Sequence, residues 1–249
     1  MASISQNAAV RPMRRVTGRG GLVDRYFYFA MSLVIAATVI FGFSKTVNQN
    51  LFHPAVPRPF LLWIHGAAFS SWVAFYILQS ALVRTHNVRL HRTLGWFGAG
   101  LGALMVPLGI AIGTIMGRFD IHTLHEPGVE AFLIVPYYDM VMLAVILSLA
   151  IAWRKKPDLH RRLLFILTCH LTDAAFGRFP GYAMQNVYFY AAADGLMLFG
   201  VLRDLVVDRR IHKVYLYAVP ILAACQFFVM YTNLHASPWW VGIAHRIIG

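Results

Sequence analysis

The stretch LGWFGAGLGALMVPLGIAIGTIMG, Leu94–Gly117, contains no ionisable side chain. A helix needs roughly 20 apolar residues to cross a hydrocarbon core of about 30 Å, so this one segment already reads as a membrane crossing. Its glycines at 98, 102, 109, 113 and 117 recur mostly at four-residue spacing, which suits close helix packing and not phosphate binding. Pro107 adds a possible kink. Six further apolar runs flank it, approximately Tyr26–Phe43, Phe60–Val83, Glu130–Trp153, Leu163–Gly177, Val187–Val207 and Val214–Leu234. Backbone groups in lipid must be satisfied within each segment, and no short alternating strands are visible, so an all-α polytopic bundle of seven transmembrane helices is expected.

The whole composition agrees. Of 249 residues, 59% are hydrophobic and 13% charged, against roughly 45–50% and 25% in soluble domains. Lys and Arg number 22 against 10 Asp and Glu. Such a surplus could mark a nucleic-acid surface, but its placement argues for membrane orientation. With the N-terminus inside, the inner segments hold Arg11, Arg14, Arg15, Arg19 and Arg25; Arg84, Arg89 and Arg92; Arg154, Lys155, Lys156, Arg161 and Arg162; and Arg203, Arg209, Arg210 and Lys213. The outer side keeps Lys45, Arg58, Arg118, Arg178 and Arg246. Seventeen of 22 on one side is the positive-inside pattern, and it requires the C-terminus outside. Trp63, Trp239 and Trp240 then fall at outer ends and Trp96 and Trp153 at inner ends. The partner implied is the bilayer, with attraction to anionic lipid as a consequence and nucleic acid discounted.

Three regions follow: a disordered basic cytoplasmic segment over 1–25, the transmembrane domain over 26–234, and an outer interfacial tail over 235–249. The first apolar run lacks a small-residue cleavage site, so it reads as a retained helix. An L/I-H-R/K element recurs as Leu90-His91-Arg92, Leu159-His160-Arg161 and Ile211-His212-Lys213, each opening a span, so the chain parses as one helix plus three hairpins.

The element Leu90-His91-Arg92-Thr93-Leu94-Gly95-Trp96, with His160-Arg161-Arg162 and His65-Gly66, resembles a large uncharacterised group of bacterial multi-pass membrane proteins. The resemblance covers about the second to fifth helices. It implies a bacterial inner-membrane location and lends no catalytic residues.

Ionisable groups inside a span are functional candidates by default. Asp139, Asp173 and Asp194 fall at one depth, about 4 Å outward of the midplane, with His170 near it. His170 and Asp173 share a helix face as an H-x-x-D pair. His65, Trp72, Tyr76 and Gln79 form a stripe on the second helix, Tyr190 lies one turn before Asp194, and Gln226 and Asn233 share a face of the seventh. The expectation is an outward-reachable polar site at Asp139, His170, Asp173, Asp194 and His65, with Arg178 as a possible ion-pair partner.

Three functions fit such a layer. One is movement of a cation or a proton-coupled small solute, since a carboxylate in low dielectric exchanges protons readily. Another is a redox module holding b-type haem or meeting quinone. His65 and His170 differ in depth by about 9 Å, so His91 and His160 are its better ligand pair. The third is a structural or assembly subunit whose buried charges merely satisfy one another. A divalent metal at the Asp/His layer is also possible chemically. His122, His125 and Glu126 form an outer loop cluster lacking a fourth ligand and read as solvated. Lys45, Lys155, Lys156 and Lys213 all lie at helix ends or in loops, which removes a retinal Schiff base. Cys169 and Cys225 are the only cysteines, so there is no thiolate metal motif.

Overall fold

The computed structural model describes residues 19–181 and 188–249. Ten α-helices and a π-helical turn, Asn48–Phe52, make up this part, with no strand among the described residues. They are α1 (Arg19–Ser44), α2 (Leu61–Arg84), α3 (Val88–His122), α4 (Val129–Phe132), α5 (Ile134–Ala152), α6 (Pro157–His170), α7 (Asp173–Phe176), α8 (Phe189–Val207), α9 (Lys213–Leu234) and α10 (Pro238–Ile248).

Five segments are long and apolar enough to cross a membrane: Gly21–Ser44, Leu61–Arg84, Val88–His122, Val129–Ala152 and Lys213–Leu234. The expected fifth and sixth spans differ from these for identifiable reasons. The fifth is broken after 14 residues, at His170, and resumes as the single turn α7. The sixth, α8, carries Asp194, Arg203 and Asp204 within 19 residues. The helix expected from Tyr26 begins at Arg19, so residues 19–25 are helical; the rest of the expected disordered segment, 1–18, lies outside the described residues.

Two hydrophobic clusters organise the bundle. The larger joins α1, α2, α3, α5, α6, α8 and α9 around Ile35, Met105, Leu143, Phe165, Ile166, Met197 and Tyr215. Gly200 permits the α8–α9 crossing, because a Cβ there would sit 2.2 Å from the Tyr215 hydroxyl and 2.8 Å from the Phe165 ring. The smaller cluster gathers Leu133, Ile134, Val135, Phe189, Tyr190, Val229, Met230, Trp240, Ala244 and Ile248.

That second cluster explains the C-terminal tail. At 35 residues α3 is about 52 Å long, well beyond the hydrocarbon thickness, so its end projects. The tail forms α10, which packs onto α3 and α4. Arg118 donates to the Ile247 carbonyl through Nε and Nη2, at 3.0 and 2.6 Å, and the Trp240 indole donates to the Glu130 carbonyl at 3.0 Å. Burial of Ala244 and Ile248 completes the seat.

Candidate functional site

The break between α6 and α7 is built by short polar side chains that compete for backbone groups. The Thr172 hydroxyl donates to the Cys169 carbonyl at 2.6 Å, and the Thr172 amide turns to the same carbonyl at 3.0 Å, an i→i−3 bond. The Asp173 carboxyl lies within reach of the Ala174 amide. The returning turn is clamped by α1 at Gly42, where any Cβ would meet the Ala175 carbonyl oxygen at 2.4 Å. Both sides of the break thus have fixed positions.

Across it sits a buried polar cluster. His170 Nε2 lies 3.3 Å from Asp139 Oδ1, and the Tyr190 hydroxyl donates to that same oxygen at 2.8 Å. The Asp139 and Asp173 carboxyls are within hydrogen-bond reach of each other. Two carboxyls can form such a bond only if one holds a proton. The His170 ring stacks parallel to Tyr190 at 6.0 Å, and Tyr138 stands edge-on to both. Despite the 3.3 Å approach, alignment toward Asp139 is too poor for a hydrogen bond, and both His170 ring nitrogens lack a partner among the described residues. A wholly buried imidazole left unpartnered is costly unless the site uses it.

The sequence-derived candidates divide as follows. Asp139, His170 and Asp173 come together from α5, α6 and α7. Asp194 stands beside them on α8, bound by Gln226, whose Nε2 donates to its Oδ1 at 3.1 Å. His65 does not join: it stacks on Phe69 of its own helix at 4.1 Å with Nδ1 unpartnered. Nor does Arg178 pair with an acid among the described residues; its guanidinium caps the Ala174 carbonyl and lies 4.4 Å over the Phe43 ring. The cluster is buried in this conformation. Asp139, His170, Asp173 and Tyr190 are each at most 8% exposed, and Tyr190 packs into the second hydrophobic cluster with Phe189, Val229 and Trp240. Among the described residues no three His, Cys, Asp or Glu side chains are placed to hold a metal ion.

His91 and His160, the alternative ligand pair, do approach. Their ring centroids are 6.4 Å apart, and His160 Nδ1 bonds the Ala150 carbonyl at 2.8 Å, which leaves Nε2 for another partner. His212, the third member of the repeat, instead caps α9 by accepting from the Val214 amide at 3.2 Å.

Charge counting by side missed a second constellation. Arg162 and Arg203, assigned above to membrane orientation, are each 2% exposed and meet Asp204, which is fully buried. Arg162 grips Asp204 through Nε at 2.9 Å and Nη2 at 2.7 Å, and Nη2 also reaches Asp208 at 3.1 Å. Arg203 Nη1 donates to Asp204 and Asp208, both at 2.7 Å, and Nη2 donates to Asp24 on α1. Arg161 bonds Asp158 at 2.8 Å and nears Asp24 at 3.6 Å. The network joins α1, α6, α8 and the α8–α9 loop. Its available signal was the D-x-x-x-R spacing of Asp158 and Arg162, together with the R-D-x-x-x-D run Arg203–Asp208.

No family model, curated protein or solved structure matches this chain.

Proposed function

We propose that this is a seven-crossing bacterial inner-membrane protein that moves a proton, coupled to a small solute or cation, through the Asp139–His170–Asp173–Tyr190 cluster. In this reading the broken α6–α7 segment and the charged α8 are the two crossings beyond the five apolar ones. The positive-inside count supports the N-terminus in the cytoplasm and the C-terminus outside. The L-H-R-x-L-G element at Leu90–Gly95 supports membership in the bacterial group it resembles.

One observation carries the proposal. A carboxyl pair close enough to share a proton lies against an imidazole with two free nitrogens, at a break in a membrane helix. Discontinuous helices are where transporters place coupling-ion sites, because unwound backbone is tolerated only beside a functional interior. Asp139 and Asp173 would hold the proton, Tyr190 would orient Asp139, and His170 would accept the proton and pass it on. Asp194 and Gln226 extend the polar surface toward α9.

Infrared difference spectroscopy on the purified full chain tests this directly. The carbonyl stretch of a protonated carboxyl should be present at neutral pH, shift in D2O, and vanish in Asp139→Asn and Asp173→Asn. In vesicles loaded with a pH-reporting dye, a membrane potential should drive proton entry in wild type and at most a tenth of that rate in either variant. A missing band, or one that never exchanges with D2O, refutes the proposal.

A second reading has its own support. The His91–His160 spacing and the His160–Ala150 bond suit a redox module with a b-type haem held between two imidazoles. Soret absorption in the purified protein, lost in His160→Ala, would favour it over proton transport.

A further inference from the structure

A small polar cavity of about 90 Å³ opens beside the inner network, lined by Asp158, Arg161, Arg162, Asp208, Arg210 and His212. We propose that it binds a phosphate group. The volume is about three times a water molecule's share of the liquid, room for an oxyanion of five heavy atoms.

The donors around it are set by the fold. Arg161 Nε is buried and has no hydrogen-bond partner among the described residues, although the terminal nitrogens of the same guanidinium hold Asp158 and approach Asp24. His212 accepts the Val214 amide on Nδ1, which places the neutral ring's proton on Nε2 as a donor. Burial, and next the neighbouring Arg162 guanidinium, hold the His212 pKa below its ordinary value, which favours that neutral tautomer. Arg210 is exposed at the rim and forms no ion pair among the described residues.

The acids lining the cavity do not repel an anion as free carboxylates would. Asp208 is held by Arg162 and Arg203, and Asp158 by Arg161. The network sets Asp24, Asp158, Asp204 and Asp208 against Arg161, Arg162 and Arg203, and the nearby Arg209, Arg210 and Lys213, in no ion pair among the described residues, bring the balance to surplus positive charge. Guanidinium forks suit phosphate oxygens well. Both α6 and α9 also begin at this end, with the positive poles of their dipoles toward the cavity.

Two sources share this chemistry, the headgroup of an anionic phospholipid and a soluble phosphate. The full-length protein in neutral detergent, stripped of lipid, separates them. Thermal stability is followed against inorganic phosphate at constant ionic strength with chloride as control, and retained lipid is counted by native mass spectrometry after supplying phosphatidylglycerol or phosphatidylcholine. Saturable stabilisation by phosphate assigns a soluble ligand. One phosphatidylglycerol retained per chain, without an effect of inorganic phosphate, assigns a lipid headgroup. Either signal should weaken about tenfold in Arg210→Gln and disappear in Arg210→Glu, whose exposed position leaves folding intact. His212→Asn, which keeps a capping acceptor but loses the Nε2 donor, should weaken it as well. Absence of both signals in wild type overturns the proposal, as does a signal unchanged by Arg210→Glu.

Discussion

Asp204→Asn is the sharpest test of the inner network, because Asp204 is its hub. Its carboxylate accepts from Arg162 twice, at 2.9 and 2.7 Å, from Arg203 at 2.7 Å and from the His212 amide at 3.3 Å. Asparagine keeps one acceptor but aims an NH2 group at a guanidinium and removes the charge. Taking one partner from a buried ion pair costs about 3–5 kcal/mol, since the other charge stays desolvated. Here the low end applies, about 3 kcal/mol, because Asp208 still reaches both arginines at 3.1 and 2.7 Å. At roughly 2–4 °C per kcal/mol for a chain of this size, detergent-solubilised protein should melt about 6–12 °C lower. Arg162→Met removes one guanidinium but leaves Asp204 paired with Arg203 at 2.7 Å, and should cost less. Differential scanning calorimetry or a dye-based melt on both variants checks the ordering. A loss under about 1 kcal/mol for Asp204→Asn, or a larger loss for Arg162→Met, would show that the network does not centre on Asp204.

Other variants probe the remaining parts. Gly42→Val drives a side chain into the Ala175 carbonyl and should cost about 1–3 kcal/mol while displacing Asp173, which a lost infrared carboxyl signal would report. Trp240→Ala removes a buried ring and its bond to the Glu130 carbonyl, and should destabilise by about 3 kcal/mol. Arg118→Ala should leave the bundle's melting within about 2 °C but speed protease cleavage near Ala236, which turns the chain into α10 at φ 44°. His212 is held below its ordinary pKa in the fold, so the unfolded chain binds the extra proton. Its contribution to stability is therefore complete above the unfolded-state pKa, about 6.5, and lost as pH falls below it. His212→Asn should flatten the melting temperature between pH 7 and 5.5.

The all-helical character and five of the apolar helices were legible because apolar length is a local property. In the structure Asp139, His170 and Asp173 lie together, brought there from α5, α6 and α7. Whether an acid meets an arginine depends on how helices rotate against each other, and no local pattern reports that. Arg178 illustrates the failure: five residues from Asp173 on the chain, it turns instead to Phe43 on α1. Arg162 and Arg203 fail in the opposite direction. A loop-adjacent arginine and a buried one count equally in a tally by side, so the tally absorbed both, and the inner acids drew no notice although they are four of the chain's ten.

The proton cluster and the ion-pair network stand on the same two helices, and their spacing bears on how the protein would work. From Arg162 to His170 is eight residues of α6, and from Asp194 to Asp204 ten of α8, or about 12 and 15 Å of rise. The interval is filled by Phe165, Ile166, Met197 and Tyr215, each at most 2% exposed. On the side away from the ion-pair network, Trp240 and α10 pack in one cluster with Tyr190 and Phe189. The cluster is therefore occluded from both sides in this conformation. Any exchange of its proton with water needs either α10 to lift or the α6–α8 seam to part. Parting that seam breaks several bonds to buried guanidiniums, whereas lifting α10 breaks two exposed bonds from Arg118 and the Trp240–Glu130 bond and unseats one helix of 11 residues with its buried Trp240, Ala244 and Ile248. The route past α10 is the cheaper one, so Arg118→Ala should speed D2O exchange of the buried carboxyl signal more than Arg162→Met does.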